Sequence, residues 1–123
     1  MGGVVFSVIA SPRHPRLSEL YLTRGLTEVR LDSPRKAMNA LRSQAPQWVV
    51  ADFVYAYSTY YQATNVSNLD VLLQALVKYA PQAKVIVLVA REEREHVEKL
   101  RAIYPLHAVF TYPVAEGELA AVL

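Results

Sequence analysis

Apolar and polar residues follow one another in blocks that predict five strands, each followed by a helix. Short β-branched apolar runs indicate buried strands, whereas apolar residues three or four positions apart indicate helices with one buried face. The predicted strands cover residues 4–10, 26–31, 48–53, 85–89 and 106–111. The predicted helices cover residues 12–24, 34–45, 67–79, 91–104 and 115–123.

Several helix ends carry local signals. Gly25 is placed to end the first helix as a left-handed cap. Asp32 and Ser33 precede Pro34, which gives a capping residue followed by proline at the first helical position. Residues 67–70 have the spacing of a capping box. The third helix is predicted to bury a stripe made of Leu69, Leu72, Leu73, Leu76 and Val77.

The strand patterns also predict which strands are central. Strands one, three and four are almost continuously apolar, as expected for strands covered on both faces. Strand two carries Glu28 and Arg30 on one face and is predicted to lie near an edge. Strands that alternate with helices indicate a parallel sheet. We therefore predict an α/β, three-layer flavodoxin-like (βα)5 fold with a five-stranded parallel sheet in the order 2-1-3-4-5.

Composition narrows the class of protein. The chain has 123 residues, 53% of them hydrophobic, which predicts a single domain over residues 1–123 with a real core. The N-terminal domain of a longer protein is an open alternative. The absence of cysteine excludes disulfides and thiolate chemistry. We see no signal peptide and no apolar run long enough to span a membrane, so the expected location is cytoplasmic.

The net charge of +2 is too small to indicate nucleic-acid binding by itself. The N-terminal third is nevertheless basic, since its three acids Glu19, Glu28 and Asp32 are outnumbered. Its basic residues are Arg13, His14, Arg16, Arg24, Arg30, Arg35, Lys36 and Arg42. Either these are solvated helix faces, which is the commoner case, or they form a surface for an anion or an acidic partner.

The chain resembles a response-regulator receiver domain over nearly its whole length. Pro46–Asp52, Pro-Gln-Trp-Val-Val-Ala-Asp, is similar to the Pro-Asp-Leu-Val-Leu-Leu-Asp of that family, whose last aspartate accepts a phosphoryl group. Val85–Arg91 is similar to the fourth strand of the family with its Thr-Ala ending. Phe110–Pro113 resembles the family's Lys-Pro after strand five, and Glu118 and Leu119 fit the start of its fifth helix.

The same resemblance implies that most working positions are changed. The family places two acids after strand one to hold Mg²⁺, whereas Val8–Ser11 has none. The family's Thr or Ser falls on Val89 and its Lys on Tyr112, so both switch positions are degenerate. Mg²⁺ needs several oxygen ligands, and phosphoryl transfer depends on charge neutralisation. The chain therefore resembles a pseudo-receiver in which Asp52 is an ordinary carboxylate bonded to loop amides rather than a phosphoacceptor.

A tyrosine-rich segment follows the third strand and has no counterpart in the family. Tyr55, Tyr57, Tyr60 and Tyr61 give large contact areas with polar tips, which suits a partner-binding loop or a loop packed on itself. Residues 48–77 contain no Lys or Arg, so we expect no nucleic-acid binding through this domain.

Other chemistry has little support. The histidines His14, His96 and His107 show no metal-ligand spacing and are expected on the surface or in packing. Phosphate-binding glycine motifs are absent, which argues against dinucleotide, nucleoside triphosphate or flavin cofactors. No catalytic residue, metal or cofactor is predicted.

Three functions remain open at this stage. The first is a non-enzymatic signalling module that binds another protein or itself, with a homodimer through the helix 4–strand 5–helix 5 face as one form implied by the family. The second is an atypical receiver that is still phosphorylated at Asp52. The third is a small-molecule binding domain that uses a cleft beside Asp52 and the tyrosine segment.

Overall fold

The computed structural model of the chain describes residues 3–55 and 67–123. The strands are β1 (Gly3–Val8), β2 (Leu26–Leu31), β3 (Trp48–Asp52), β4 (Lys84–Val89) and β5 (Ala108–Thr111). The helices are α1 (Ser18–Thr23), α2 (Pro34–Leu41), α3 (Asp70–Tyr79), α4 (Arg94–Val97) and α5 (Glu116–Val122). None of the helices in these residues is both long enough and apolar enough to cross a membrane.

The five strands form one parallel sheet in the order β2-β1-β3-β4-β5, which confirms the predicted fold class and strand order. β2 and β5 lie at the two edges. The register places Asp52 beside Leu88 and Val89 beside Thr111. The carboxyl ends of β3, β4 and β5 therefore meet at one edge of the sheet, which is where ligands usually bind in open α/β folds.

Helices cover both faces of the sheet. On one face α2, α3 and α4 pack on alternate strand residues such as Phe6, Val49 and Val87, which are fully buried. On the other face α1 and α5 pack on Val50 and Ile86. This division follows from the alternation of side chains along each strand.

The helix-end signals act largely as predicted. Gly25 adopts φ of 73°, the left-handed conformation that ends α1. Ser33 caps α2 by accepting a hydrogen bond from the amide of Lys36. The Asp70 carboxylate accepts from the amide of Ser67, which is one half of a capping box.

Two predicted helices differ from those in the structure. α1 begins at Ser18 rather than between Pro12 and Pro15. The preceding loop crosses the carboxyl edge of the sheet, where its amides donate hydrogen bonds to Asp52. The predicted charged helix 91–104 contains only one α-helical turn, α4, between 3-10 segments Arg91–Glu93 and Glu98–Ala102.

The predicted stripe on α3 is wrong at one position. Leu72 and Leu76 are fully buried, whereas Val77 is 52% exposed. Successive residues of an α-helix are about 100° apart, so Val77 turns away from the sheet once Leu76 faces it.

Candidate functional site

Asp52 ends β3 at the carboxyl edge of the sheet and has no exposed surface. Two segments cover it. The loop after β1 brings the backbone of residues 10 and 11 and the side chain of His14 over the carboxylate. The turn after β5 brings Tyr112 to it from the other side. Asp52 is therefore enclosed by the chain itself rather than open to solvent.

Four donors meet the two oxygens of Asp52. Oδ2 accepts from the amides of Ala10 at 2.8 Å and Ser11 at 3.0 Å. Oδ1 accepts from the Tyr112 hydroxyl at 2.5 Å and lies 2.9 Å from His14 Nδ1. Because a carboxylate oxygen is the acceptor, Nδ1 is the nitrogen that carries hydrogen. An ionised carboxylate offers about four lone-pair sites, so these donors use all of them.

Tyr112 is held as a donor by its surroundings. Burial raises the pKa of its hydroxyl well above the ordinary value, and the hydrogen bond to Asp52 raises it further. The group therefore stays protonated at neutral pH and keeps donating to Asp52. The Arg13 guanidinium lies 4.7 Å from the centre of the Tyr112 ring and covers its outer face as a cation–π contact.

The residues around Asp52 do not fit the Mg²⁺ that a receiver-like site would hold. Mg²⁺ takes oxygen ligands and usually carboxylates, whereas the four groups that contact Asp52 all present hydrogen-bond donors. Within residues 3–55 and 67–123 no cluster of three His, Cys, Asp or Glu side chains could hold a metal ion. The described groups that contact Asp52 are therefore hydrogen-bond donors rather than metal ligands.

The two residues predicted to be degenerate switch positions, Val89 and Tyr112, lie in different surroundings. Val89 is fully buried in the core on the α2–α3–α4 face and offers no hydroxyl at the edge. Tyr112, which the resemblance aligns with the family's lysine, donates a hydrogen bond from its hydroxyl to Oδ1 of Asp52. Arg91 is a cation that follows the end of β4 by two residues. It is exposed at the start of the segment that leads to α4.

Tyr55 is the one predicted partner-binding tyrosine within the described residues. Its ring stacks on His96 with centroids 3.8 Å apart and planes at 11°, and its amide donates to Glu93. The side chain is half-buried against the core. Tyr57, Tyr60 and Tyr61 lie outside the described residues, so their predicted role stays a prediction.

The structure separates the three histidines. His96 packs on Tyr55, and His107 bonds the Val122 carbonyl and contacts Trp48, as expected for packing residues. His14 has a different position, because its side chain is only 5% exposed and its ring nitrogen bonds Asp52. Sequence reasoning missed this contact. The one available signal was the pair of prolines around Arg13–His14, which keeps this segment out of α1.

Comparison with known proteins gives a fold and no closer relationship. No protein-family model matches the chain, and no curated protein matches it. Solved structures do match it at low identity. A signal receiver domain of an HD domain-containing protein from Pseudomonas fluorescens is 15% identical with a TM-score of 0.73, over 99% of this chain and 91% of that one.

Two further structures show the range of proteins with this fold. The receiver domain of a sensor histidine kinase from Pseudomonas aeruginosa, with a magnesium ion in its active-site cleft, is 13% identical with a TM-score of 0.70, over 99% of this chain and 94% of that one. A pilus assembly protein, CpaE, from Caulobacter crescentus is 17% identical with a TM-score of 0.65, over 98% and 89% of the two chains. The chain therefore has the fold of response-regulator receiver domains.

Proposed function

We propose that this chain, with the fold of a receiver domain, is a non-catalytic signalling module that acts by binding protein. One observation carries the proposal. Asp52, at the position that resembles the phosphoacceptor, has every lone-pair site filled by a donor from the chain and has no exposed surface. Transfer needs an oxygen free to approach phosphorus in line and cations to neutralise charge, and this arrangement supplies neither.

The loss of the switch would leave one fixed state. The receiver domain from Pseudomonas aeruginosa has a magnesium ion in its active-site cleft, whereas in this chain Asp52 is contacted by Tyr112 and His14. A small-molecule site that contacts Asp52 gains no support, because its carboxylate has no exposed surface and is covered by the loop after β1 and by Tyr112. The surface of the domain is then where its function resides.

Incubation with acetyl phosphate or phosphoramidate and Mg²⁺ tests the proposal. We expect no acyl-phosphate adduct by intact mass, because no oxygen of Asp52 is free to attack. A receiver domain that carries both metal-binding acids is the positive control under the same conditions. An adduct on most molecules that disappears in Asp52→Asn would instead establish an atypical, phosphorylated receiver.

The face formed by α4, β5 and α5 is the proposed contact surface for a second copy. The family resemblance suggests it, and Ala121 is exposed on α5 there, whereas Leu119 of the same helix is fully buried. Sedimentation velocity should show a dimer, and Ala121→Glu should raise its dissociation constant at least tenfold. The substitution would bury an unpaired charge at the contact, which costs more than the about 1.4 kcal/mol that corresponds to a factor of ten. Leu22→Glu, at a 76% exposed position on α1, is the control. A monomer at all concentrations would remove this face as a dimer contact.

A further inference from the structure

Most basic side chains of the N-terminal third have partners within the described residues. Arg24 donates to the carbonyls of Ala120 and Leu123 at the end of α5. Lys36 pairs with Asp32 at 2.9 Å. Arg13 contacts the ring of Tyr112 and His14 contacts Asp52, as described above. Arg30 lies 3.9 Å from a carboxylate oxygen of Glu28. Arg13, His14 and Arg24 therefore contact groups of the fold, whereas Arg30 and Lys36 remain more than half exposed in their pairs.

Arg16, Arg35 and Arg42 are different, because none of these side chains forms an ion pair in the described part of the chain and all three are exposed. Of these, Arg35 and Arg42 are close to each other in sequence. They lie seven residues apart on α2 and its C-terminal end, which is two helical turns, so they share one face about 10 Å apart along the axis. Met38 and Asn39 lie between them on the same face. The two arginines therefore flank a common strip of surface.

That strip is one wall of a groove between α2 and α3 with a volume of about 400 Å³. The opposite wall is formed by Val71, Ala75 and Tyr79, which recur every four residues along α3. Val71 is 42% exposed and Tyr79 is 44% exposed, although both are large apolar side chains. Leu72 and Leu76 of the same helix face the sheet, so α3 carries a second apolar stripe, of which Ala75 packs partly against the core while Val71 and Tyr79 stay exposed.

The charge of this groove has one sign. Among the described residues, the charged side chains that line it are Arg35 and Arg42, and Lys78 adds another cation 5.3 Å from the centre of the Tyr79 ring. An apolar floor between unpaired cations matches an occupant with an apolar face flanked by carboxylates. Arginine suits this role because its guanidinium can bind a carboxylate through two hydrogen bonds.

We propose that the groove between α2 and α3 binds an acidic amphipathic helix of a partner protein. The proposal deepens the protein-binding function proposed above and rests on it. The groove runs between two helices, and a third helix packs well into such a surface when its side-chain ridges fill the groove. Acids seven residues apart on that helix would meet Arg35 and Arg42, with apolar residues between them on Met38 and Val71.

Two other occupants fit less well. A second copy related by a two-fold axis at this groove would bring the same arginines together, and like charges at an interface oppose association. Nucleic acid would need more cations than these to neutralise several phosphates, and the groove floor is apolar. The observations therefore favour an acidic helical segment.

Selection from a displayed library of randomised 18-residue helical peptides tests the proposal with the whole chain as bait. We expect the enriched peptides to carry an apolar stripe flanked by Glu or Asp at a spacing of seven. Their affinity, measured by fluorescence anisotropy on synthesised peptides, should fall at least tenfold in Arg35→Glu/Arg42→Glu and also in Val71→Ser. Raising the salt concentration should weaken binding, as for any ion pairing near a surface.

Matched variants separate the outcomes. Arg94→Glu/Lys99→Glu makes the same charge change at exposed positions away from the groove, and Val77→Ser removes an equally exposed valine from another face of α3; both should bind as the unchanged chain does. Circular dichroism checks that each variant is folded. Peptides that lose binding only in the Arg94→Glu/Lys99→Glu variant would overturn the groove proposal and leave protein binding intact.

Three other results would also contradict the binding of an acidic helix in this groove. If no peptide is enriched, both the groove and the protein-binding function lose support. Self-association that depends on Arg35 and Arg42, measured by sedimentation, would assign the groove to a second copy instead. Binding of a labelled oligonucleotide that competes with the peptides would assign it to nucleic acid.

Discussion

Replacing Asp52 with alanine should lower the free energy of unfolding by about 3 kcal/mol, because the change removes a fully buried acceptor of four hydrogen bonds. The amides of Ala10 and Ser11 and the hydroxyl of Tyr112 would all lose their partner. Their loss also releases the loop after β1 from the edge of the sheet. Urea unfolding followed by circular dichroism measures the change, with the slope checked for two-state behaviour.

The control is Asp32→Ala, which removes another carboxylate from the same half of the chain. Asp32 is exposed, and although Lys36 lowers its pKa, solvent screens the pair, so the unfolding midpoint should hardly change. Tyr112→Phe should lower the free energy of unfolding by about 1 kcal/mol, which is between the effects of the other two substitutions, because it removes only one of the four donors to Asp52. Equal midpoints for the Asp52 and Asp32 variants would show that Asp52 does not hold the edge together.

The contacts of Asp52 explain how groups of the chain itself can fill the carboxyl edge of the sheet when the residues of a receiver-like site differ. Tyr112 stands where the resemblance would place a lysine, and its hydroxyl donates to Oδ1 of Asp52. The loop amides and His14 fill the remaining lone-pair sites. Each described group that contacts Asp52 is a donor from the chain, so the carboxylate is fully hydrogen-bonded without a ligand.

The topology of this chain is accessible from sequence because it depends on patterns that repeat along the chain. Continuous apolar runs such as β4 and the alternating β2 are enough to place central and edge strands, and right-handed crossovers then restrict the order. The helix end at Gly25 is equally local, since only glycine adopts its φ of 73° without strain.

The contacts at the site are not local, and this is why sequence could not supply them. His14 and Tyr112 are 98 residues apart in sequence, and they meet at Asp52 only because the sheet register brings three carboxyl ends together. Nothing in the spacing of His14 distinguishes it from His96 or His107. The groove was likewise hidden, because eight basic residues in sequence look alike until the structure shows that most are paired.

The two apolar stripes of α3 lead to the second large effect. Leu76→Ala should cost about 3 kcal/mol of unfolding free energy, because Leu76 is fully buried and its truncation leaves a cavity in the core. Val77→Ala, one residue further along, should change stability by less than about 0.5 kcal/mol, because half of that side chain is already in water. Urea unfolding of both variants measures the difference.

This pair also tests the orientation on which the groove depends. If Leu76 faces the sheet, the stripe of Val71, Ala75 and Tyr79 runs along one side of the buried face and Val77 lies on its other side, because these five residues belong to one helix. Similar losses for the two variants, or a larger loss for Val77→Ala, would mean that α3 is rotated about its axis. The exposed stripe, and with it the floor of the groove, would then not exist as described.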